Sequence, residues 1–277
     1  MSRERAQAFV PGHVTGFFSA HQHDDPLRAG SRGAGLTLTD GVHVTVEPAA
    51  ETTVTLEGQS AEMTAVNHVL SELGVSCTVT ATTDLPISAG FGVSGATALG
   101  TALGANAVFD LHRSENTLVG LAHAGEVQAG TGLGDVVAQA RGGIPIRLEP
   151  GAPGFGTLDG IPARGPVEYC TFGSLSTADI ITGDTVQLTA AGERALSFLM
   201  EEPTLTRLMV ASRRFAREAD LLTAEVETAI DAVQDAGGQA AMAMLGQTVF
   251  ALGTGLSDAG YDAHSCRIHP PGATLEE

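Results

Sequence analysis

The sequence predicts an α+β fold in which strands and helices form mixed layers. Three observations lead there. Apolar residues make up 43% of the 277-residue chain, enough for a core without disulfide or metal staples. Period-two alternation marks strands near both ends of the chain, while helical spacing marks segments between them. These elements do not follow the strict strand–helix alternation of a parallel α/β sheet. At about 150 residues per domain the length gives one to two domains. A Gly/Pro-rich connector, Gly151 to Pro166, separates residues 1–155 from residues 156–277 as two expected units.

Taken in order, residues from Ala6 to about Val79 read as mainly strand. Ala34 to Thr39 alternates, Asp40-Gly41 is a two-residue turn signal, and Val42, Val44 and Val46 alternate again, which predicts a hairpin. Thr53–Leu56 is a further strand. Ser60 is the expected cap of a helix carrying Met63, Val66, Val69, Leu70 and Leu73, and Val75–Val79 returns to period two. A helix over about Ser94–Phe109 is almost entirely small or apolar, so it is expected to be buried on most sides. The next, over about Ser114–Gln128, has Ser114 as cap and Glu115 in its first turn. Val136–Ala140 and Ile144–Leu148 flank Gly142-Gly143 as a second hairpin. Beyond the connector come a strand (Val167–Phe172), helical stretches (Thr189–Glu201 and Leu205–Asp235), paired strands (Ala240–Leu245 and Val249–Leu252), a short helix near Ser257 and a strand (Tyr261–Ile268). The tail from His269 reads as loose.

Composition excludes whole chemistries. Acids outnumber bases 32 to 14, the formal charge is −18, and every base is arginine. Without lysine there is no pyridoxal Schiff base, no biotin or lipoyl carrier site, no GxxxxGK[ST] phosphate loop and no protein-kinase ATP site. The acidic balance argues against nucleic acid or an anionic membrane as partner. An acidic, lysine-free surface on a folded protein fits a salt-rich interior, where screening relieves self-repulsion. Cys77, Cys170 and Cys266 are isolated and read as small apolar residues in a reducing cytoplasm. The N-terminus lacks an apolar signal region and no run of 18 apolar residues occurs, so a soluble cytoplasmic protein is expected.

Three segments carry chemistry. In the first, Leu85 to Leu99, Gly90, Gly92 and Gly95 lie directly before a helix. Glycine lets main-chain N–H groups approach a ligand, and a helix N-terminus adds free donors and a positive dipole end, which suits phosphate. A tight loop with close helix packing explains the same residues. In the second, Glu126 is followed nine residues later by Asp135, across Gly130, Gly132 and Gly134. Two carboxylates beside a phosphate loop suggest one metal ligand and one residue that accepts or orients a hydroxyl proton. A surface Glu and an Asp turn cap are the alternatives. In the third, His13 follows the Pro11-Gly12 break, and Arg28, Ser31 and Arg32 sit in a glycine-rich stretch that suggests an anionic ligand. Arg147, in an apolar strand, is the other candidate partner for a carboxylate or phosphate, with pairing to Glu149 as the plain alternative. His21, His23, Asp24 and Asp25 resemble a metal cluster, but no other spaced ligand supports them.

Together these segments resemble the GHMP kinase superfamily of small-molecule kinases. Its phosphate loop reads P-x-x-x-G-L-G-S-S-A, and Pro86 to Ala96 here reads PISAGFGVSGA. Its metal-binding Glu and catalytic Asp match Glu126 and Asp135, and its third glycine motif matches Ala241 to Thr248, with only Gly246 retained. PGHVTGFF, DPLRAGSRGAG, GTGLGDVVAQARGG and AMLGQTVFALG spread the likeness over nearly the whole chain, which is most similar to the archaeal branch that phosphorylates pantoate. The resemblance implies a two-domain fold, with an N-terminal ribosomal protein S5-like domain and a C-terminal ferredoxin-like sandwich.

The resemblance further implies transfer from ATP to the 4-hydroxyl of (R)-pantoate, and a homodimer. Gly90, Gly92, Ser94, Gly95 and Ala96 would hold the ATP phosphates, and Ser94 and Glu126 would hold Mg²⁺. Asp135 would be the catalytic base or orienting group. His13 and Arg147 would stabilise the phosphoryl group or hold the substrate carboxylate, with Arg28, Ser31 and Arg32 behind them. Two departures stand out. Val93 replaces the first Ser of the usual pair, and His13 stands where many relatives carry Lys. Another GHMP kinase substrate, such as homoserine or a sugar, and an inactive metabolite sensor are the rival readings.

Overall fold

β-branched and apolar residues, interrupted by glycine, make up the two long strands that organise the N-terminal half. The computed structural model describes residues 4–173 and 185–276. Strands β1 (Ala6–His21) and β2 (Gly30–Pro48) form a long antiparallel pair at the centre of an eight-stranded sheet. The outer half of β2 pairs with β5 (Cys77–Thr83), which is parallel to β3 (Thr53–Leu56); β3 in turn pairs with β4 (Gln59–Ser60). The inner half of β2 pairs at Gly33 and Ala34 with β6 (Pro145–Glu149), which carries β7 (Thr157–Gly160).

Helices α1 (Thr64–Leu73), α2 (Val93–Val108), α3 (Glu115–Ala129) and α4 (Asp135–Arg141) belong to this half. Helix α2 buries 12 of its 16 residues, as its small-residue composition predicts. Its Gly100 and Gly104 lie against Val44 and Val46, where an added Cβ would come within 2.5 and 2.7 Å of a methyl, so the helix seats directly on β2. Its buried Thr97 and Thr101 hydroxyls donate to the carbonyls of Val93 and Thr97, one helical turn back.

The second half is a four-stranded antiparallel sheet in the order β11 (His264–Arg267), β8 (Pro166–Gly173), β10 (Gln247–Leu252), β9 (Ala240–Ala243). Helices α5 (Val186–Glu201), α6 (Leu205–Glu218), α7 (Ala224–Asp235) and α8 (Gly255–Asp258) accompany it. Phe18 of β1 meets Phe215 of α6 at 5.7 Å between ring centroids, which joins the two halves. Buried Glu168 anchors the start of α8 by accepting the N–H groups of Leu256 and Ser257. Cys77 and Cys266 are buried thiols with pKa values pushed up by burial, to about 11 and 12, while Cys170 is half-buried.

Several expected elements take another form. Asp40-Gly41 is no hairpin turn: β2 runs straight through it, and β1 and β2 shift register there, with Gly12 opposite an excess of β2 residues. Both flanks of the signal pair with the same neighbour, so the turn residues serve a bulge. Ser60 lies in β4, and α1 starts after Met63 with no side-chain cap. Val136–Ala140 is helix rather than strand, since Asp135 opens α4 at a favourable N-terminal position and Gly142 ends it. The stretch Leu205–Asp235 is two helices, with Thr223 capping the second.

The tail is not loose. Strand β12 (Thr274–Glu276) adds to β1, the Gly143 N–H and Thr37 hydroxyl both donate to the His269 carbonyl, and Ala273 N–H donates to Gln139 C=O. Residues 157–160, beyond the expected division at 155, also pair in the first sheet, so the sheets part between Gly160 and Pro166.

Candidate active site

Three backbone segments converge on one cavity of about 360 Å³. The first is the loop entering α2. Gly92 sits at the helix N-cap with φ +67°, a left-handed conformation, and a Cβ there would come 3.1 Å from the Asp135 Cβ. Glycine therefore meets both the turn and the close approach. The first helical bond runs from Ala96 N–H to Gly92 C=O, which leaves the N–H groups of Val93, Ser94 and Gly95 ahead of it as free donors at the positive helix end. Ala96, expected among the phosphate ligands, spends its N–H inside the helix. Gly90, Gly92 and Ser94 line the cavity.

The second segment is the end of α3 and the glycine loop after it. Gly130 caps α3 in the left-handed region and Thr131 N–H returns to the Glu126 carbonyl, so the chain doubles back over its own last turn. Glu126 is 3% exposed, and its Oε1 accepts from the Ser94 hydroxyl at 2.6 Å and the Thr131 hydroxyl at 2.8 Å. Burial pushes its pKa up to about 7 despite these bonds, and the Asp135 charge adds to the rise. A Cβ on Gly132 would lie 2.6 Å from Glu126 Oε2 and 3.4 Å from Asp135 Oδ2, so both carboxyls face the same small gap.

The third segment is β1, which carries His13 and Thr15, with Arg147 on β6 beyond β2. His13 Nδ1 lies 2.7 Å from Asp135 Oδ1. The His13 side chain is fully buried while that of Asp135 keeps 24% exposure, so the carboxylate faces the cavity and the imidazole stands behind it. Burial lowers the His13 pKa, helped by Arg147 and opposed by Asp135, so the ring is neutral near pH 7. Burial would raise Asp135, but the His13 bond, the Arg147 charge and the Thr15 hydroxyl outweigh it and hold the carboxyl below its ordinary value. An ionised carboxylate only accepts, so Nδ1–H donates to it, and Nε2 has no partner among the described residues. His13 therefore orients Asp135 from behind and does not itself line the cavity, where the resemblance implied a place beside the substrate.

Arg147 is 2% exposed and lines the cavity. Its Nε donates to Ser31 Oγ at 3.2 Å, and Ser31 donates to the Leu133 carbonyl. One terminal nitrogen, Nη1, has no hydrogen-bond partner among the described residues. Burial lowers its pKa to about 10, so it stays charged. Arg28 and Arg32 are not in the cavity. Arg28 pairs with Asp25 and stacks over Phe155, and Arg32 donates to Glu193 at 2.7 Å and to the Leu148 carbonyl. Arg32 points from β2 toward Glu193 on α5, whereas its neighbour Ser31 lines the cavity. His21 joins Glu193 and Ser19, and His23 accepts from Asp25 N–H.

Sequence reasoning missed Gln139. It is fully buried on α4, one turn beyond Asp135, and its Nε2 donates to the Gly92 carbonyl at 3.0 Å, which ties α4 to the loop entering α2. The spacing from Asp135, four residues along a helix, was invisible while this segment read as a strand. Met244 and Leu245 of the third glycine motif also line the cavity, and Gly246 abuts Ala89 and Gly90 main chain.

No group of three His, Cys, Asp or Glu side chains is gathered among the described residues. Ser94, Glu126 and Thr131 nevertheless offer oxygen donors only, on a buried carboxyl whose partners are hydroxyls. That set suits Mg²⁺, which takes few protein ligands when phosphates supply the rest.

Residues 61–143 match the GHMP kinases N terminal domain. The chain is 35% identical to a pantoate kinase of Methanospirillum hungatei, over 91% of this chain and 89% of that protein. It is likewise 35% identical to a pantoate kinase of Thermococcus kodakarensis, over 89% and 87%. A solved phosphotransferase related to the CoA biosynthesis pathway superposes with TM-score 0.86 at 30% identity, covering 98% of both chains. A homoserine kinase from Cytophaga hutchinsonii, at 16% identity and TM-score 0.71, shares the fold. The two-domain α+β architecture, the converging glycine loops and this likeness along the whole chain have one conclusion: the protein belongs to the GHMP kinases, within the pantoate kinase family.

Proposed function

We propose that the protein transfers the terminal phosphoryl group of ATP to the 4-hydroxyl of (R)-pantoate, giving 4-phosphopantoate and ADP on the way to coenzyme A. The observation that carries this reading is a pairing across one cavity: an ionised Asp135 and a buried, charged Arg147 with an unpartnered nitrogen face the free amides of α2. A small hydroxy acid needs both ends of that pairing. The Arg147 guanidinium suits the carboxylate, and Asp135 accepts or orients the proton of the attacking hydroxyl. The N–H groups of Val93, Ser94 and Gly95 cradle the phosphates in place of a lysine. His13 holds Asp135 in orientation and ionised, and Ser31 fixes the Arg147 fork.

Ser94, Glu126 and Thr131 would hold Mg²⁺, which when bound neutralises phosphate charge. Positioning and charge complementarity do most of the remaining work in such transfers. The acidic, lysine-free composition supports a salt-rich cytoplasm as its setting and argues against nucleic acid and anionic membranes as partners.

The test is a coupled ADP-release assay in high-salt buffer with hydroxy acids, sugars and amino alcohols as acceptors. ADP release with (R)-pantoate above all others is the expected result. Preference for homoserine or a sugar would reassign the substrate, and no release with any acceptor would leave a binding protein.

A further inference from the structure

The cavity contains more than its polar ends. Phe18 on β1 pairs with Gly33 on β2, and Gly33 pairs with Arg147 on β6. Residues directly opposite in antiparallel strands point to the same face of the sheet. Phe18 and Arg147 therefore flank Gly33 on one face, about 10 Å apart by two strand spacings. Gly33 places no side chain between them, and Ser31, two residues away on β2, keeps the same face shallow and lines the cavity. The result is a trough with a charged wall and an aromatic wall. Leu133 lines the same cavity from the glycine loop, and Met244, whose N–H donates to the Thr15 carbonyl, lines it from the second half.

This apolar lining has no part in phosphate binding or proton transfer. A linear hydroxy acid would leave it unfilled, and a sugar or amino alcohol would set polar groups against it without partners, at a cost. Resting on the substrate class proposed above, we infer that Phe18, with Leu133 and Met244, is the specificity wall for a quaternary, dimethyl-substituted carbon between the carboxylate and the reacting hydroxyl. The protein selects its substrate by branching as well as by charge.

The experiment measures kcat/KM for (R)-pantoate, its 3-monomethyl analogue and unbranched 2,4-dihydroxybutanoate. On the unaltered protein, kcat/KM falls at least about 10-fold when both methyls are removed, as for lost methyl groups in an apolar pocket. In Phe18→Leu, which keeps an apolar contact to Phe215, and in Leu133→Ala, the ratio between pantoate and the unbranched acid shrinks several-fold; a merely structural role would lower all three together. If pantoate is turned over but the three acids are used equally, or the ratio is unmoved in every folded variant, the inference falls and the pantoate reading stands. If pantoate is not turned over at all, both fall.

Discussion

Replacing Glu126 by Gln tests the electrostatics of the site without an activity assay. Glu126 is 3% exposed, and burial carries its carboxyl from 4.5 to about 7. Because the folded pKa lies above the unfolded one, the native state holds a proton that the unfolded chain has released between these limits. Stability therefore falls as pH rises from about 4.5 to about 7 and is flat above that, as far as this group is concerned. At about 1.4 kcal/mol for each pH unit the total loss is about 3 kcal/mol. The Gln side chain copies the protonated carboxyl, with its oxygen still able to accept from Ser94 and Thr131, but it cannot ionise.

Urea unfolding of both proteins, without metal or nucleotide and at constant high ionic strength, should thus give similar stabilities near pH 5. By pH 8 Glu126→Gln should be more stable than the parent by about 3 kcal/mol. Added Mg²⁺ should narrow the gap at pH 8 by stabilising the parent alone. Parallel pH curves for the two proteins would refute a strained, buried carboxyl and with it the reason for placing a cation there.

Asp135→Asn keeps an acceptor for the His13 Nδ1–H, so nucleotide binding by calorimetry should be nearly unchanged while kcat drops about 100-fold or more; retained turnover would remove Asp135 from its role. Arg147→Met should raise KM for the hydroxy acid far more than KM for ATP, and far more than KM for an uncharged acceptor analogue; equal effects would mean that it does not read the carboxylate. Gln139→Leu, which leaves the Gly92 carbonyl with the Ala96 N–H alone, should cost about 0.5–1.5 kcal/mol in chemical denaturation and raise KM for ATP, whereas Gln139→Glu should restore part of neither. The melting temperature should climb with KCl as the −18 surface is screened; a value indifferent to salt would contradict that account.

Much of the site was legible because its chemistry is carried by short segments. The phosphate loop, Glu126, Asp135 and Arg147 each sit where a glycine-rich turn or a lone charge in an apolar run marks them, and all line one cavity. The roles of the basic residues were not legible. Arg28, Arg32 and Arg147 look alike as charges in small-residue stretches, but only the folded arrangement decides which are spent on an acid, Arg28 on Asp25 and Arg32 on Glu193 of α5, and which keeps a free nitrogen. His13 shows the same limit, since its burial behind Asp135 depends on a residue 122 positions away.

By itself, then, the sequence determined local matters. It set the helix of small residues that can lie flat on a sheet, the glycine turns, the serine cap of α3, the absence of lysine and the surface charge, because these follow from neighbouring side chains and backbone freedom. Only the tertiary structure decided that β2 crosses Asp40-Gly41 as one strand, that Asp135 opens a helix, and that the last residues return to β1. In each case the local signal is degenerate, and hydrogen-bond partners distant in sequence choose between the forms it allows.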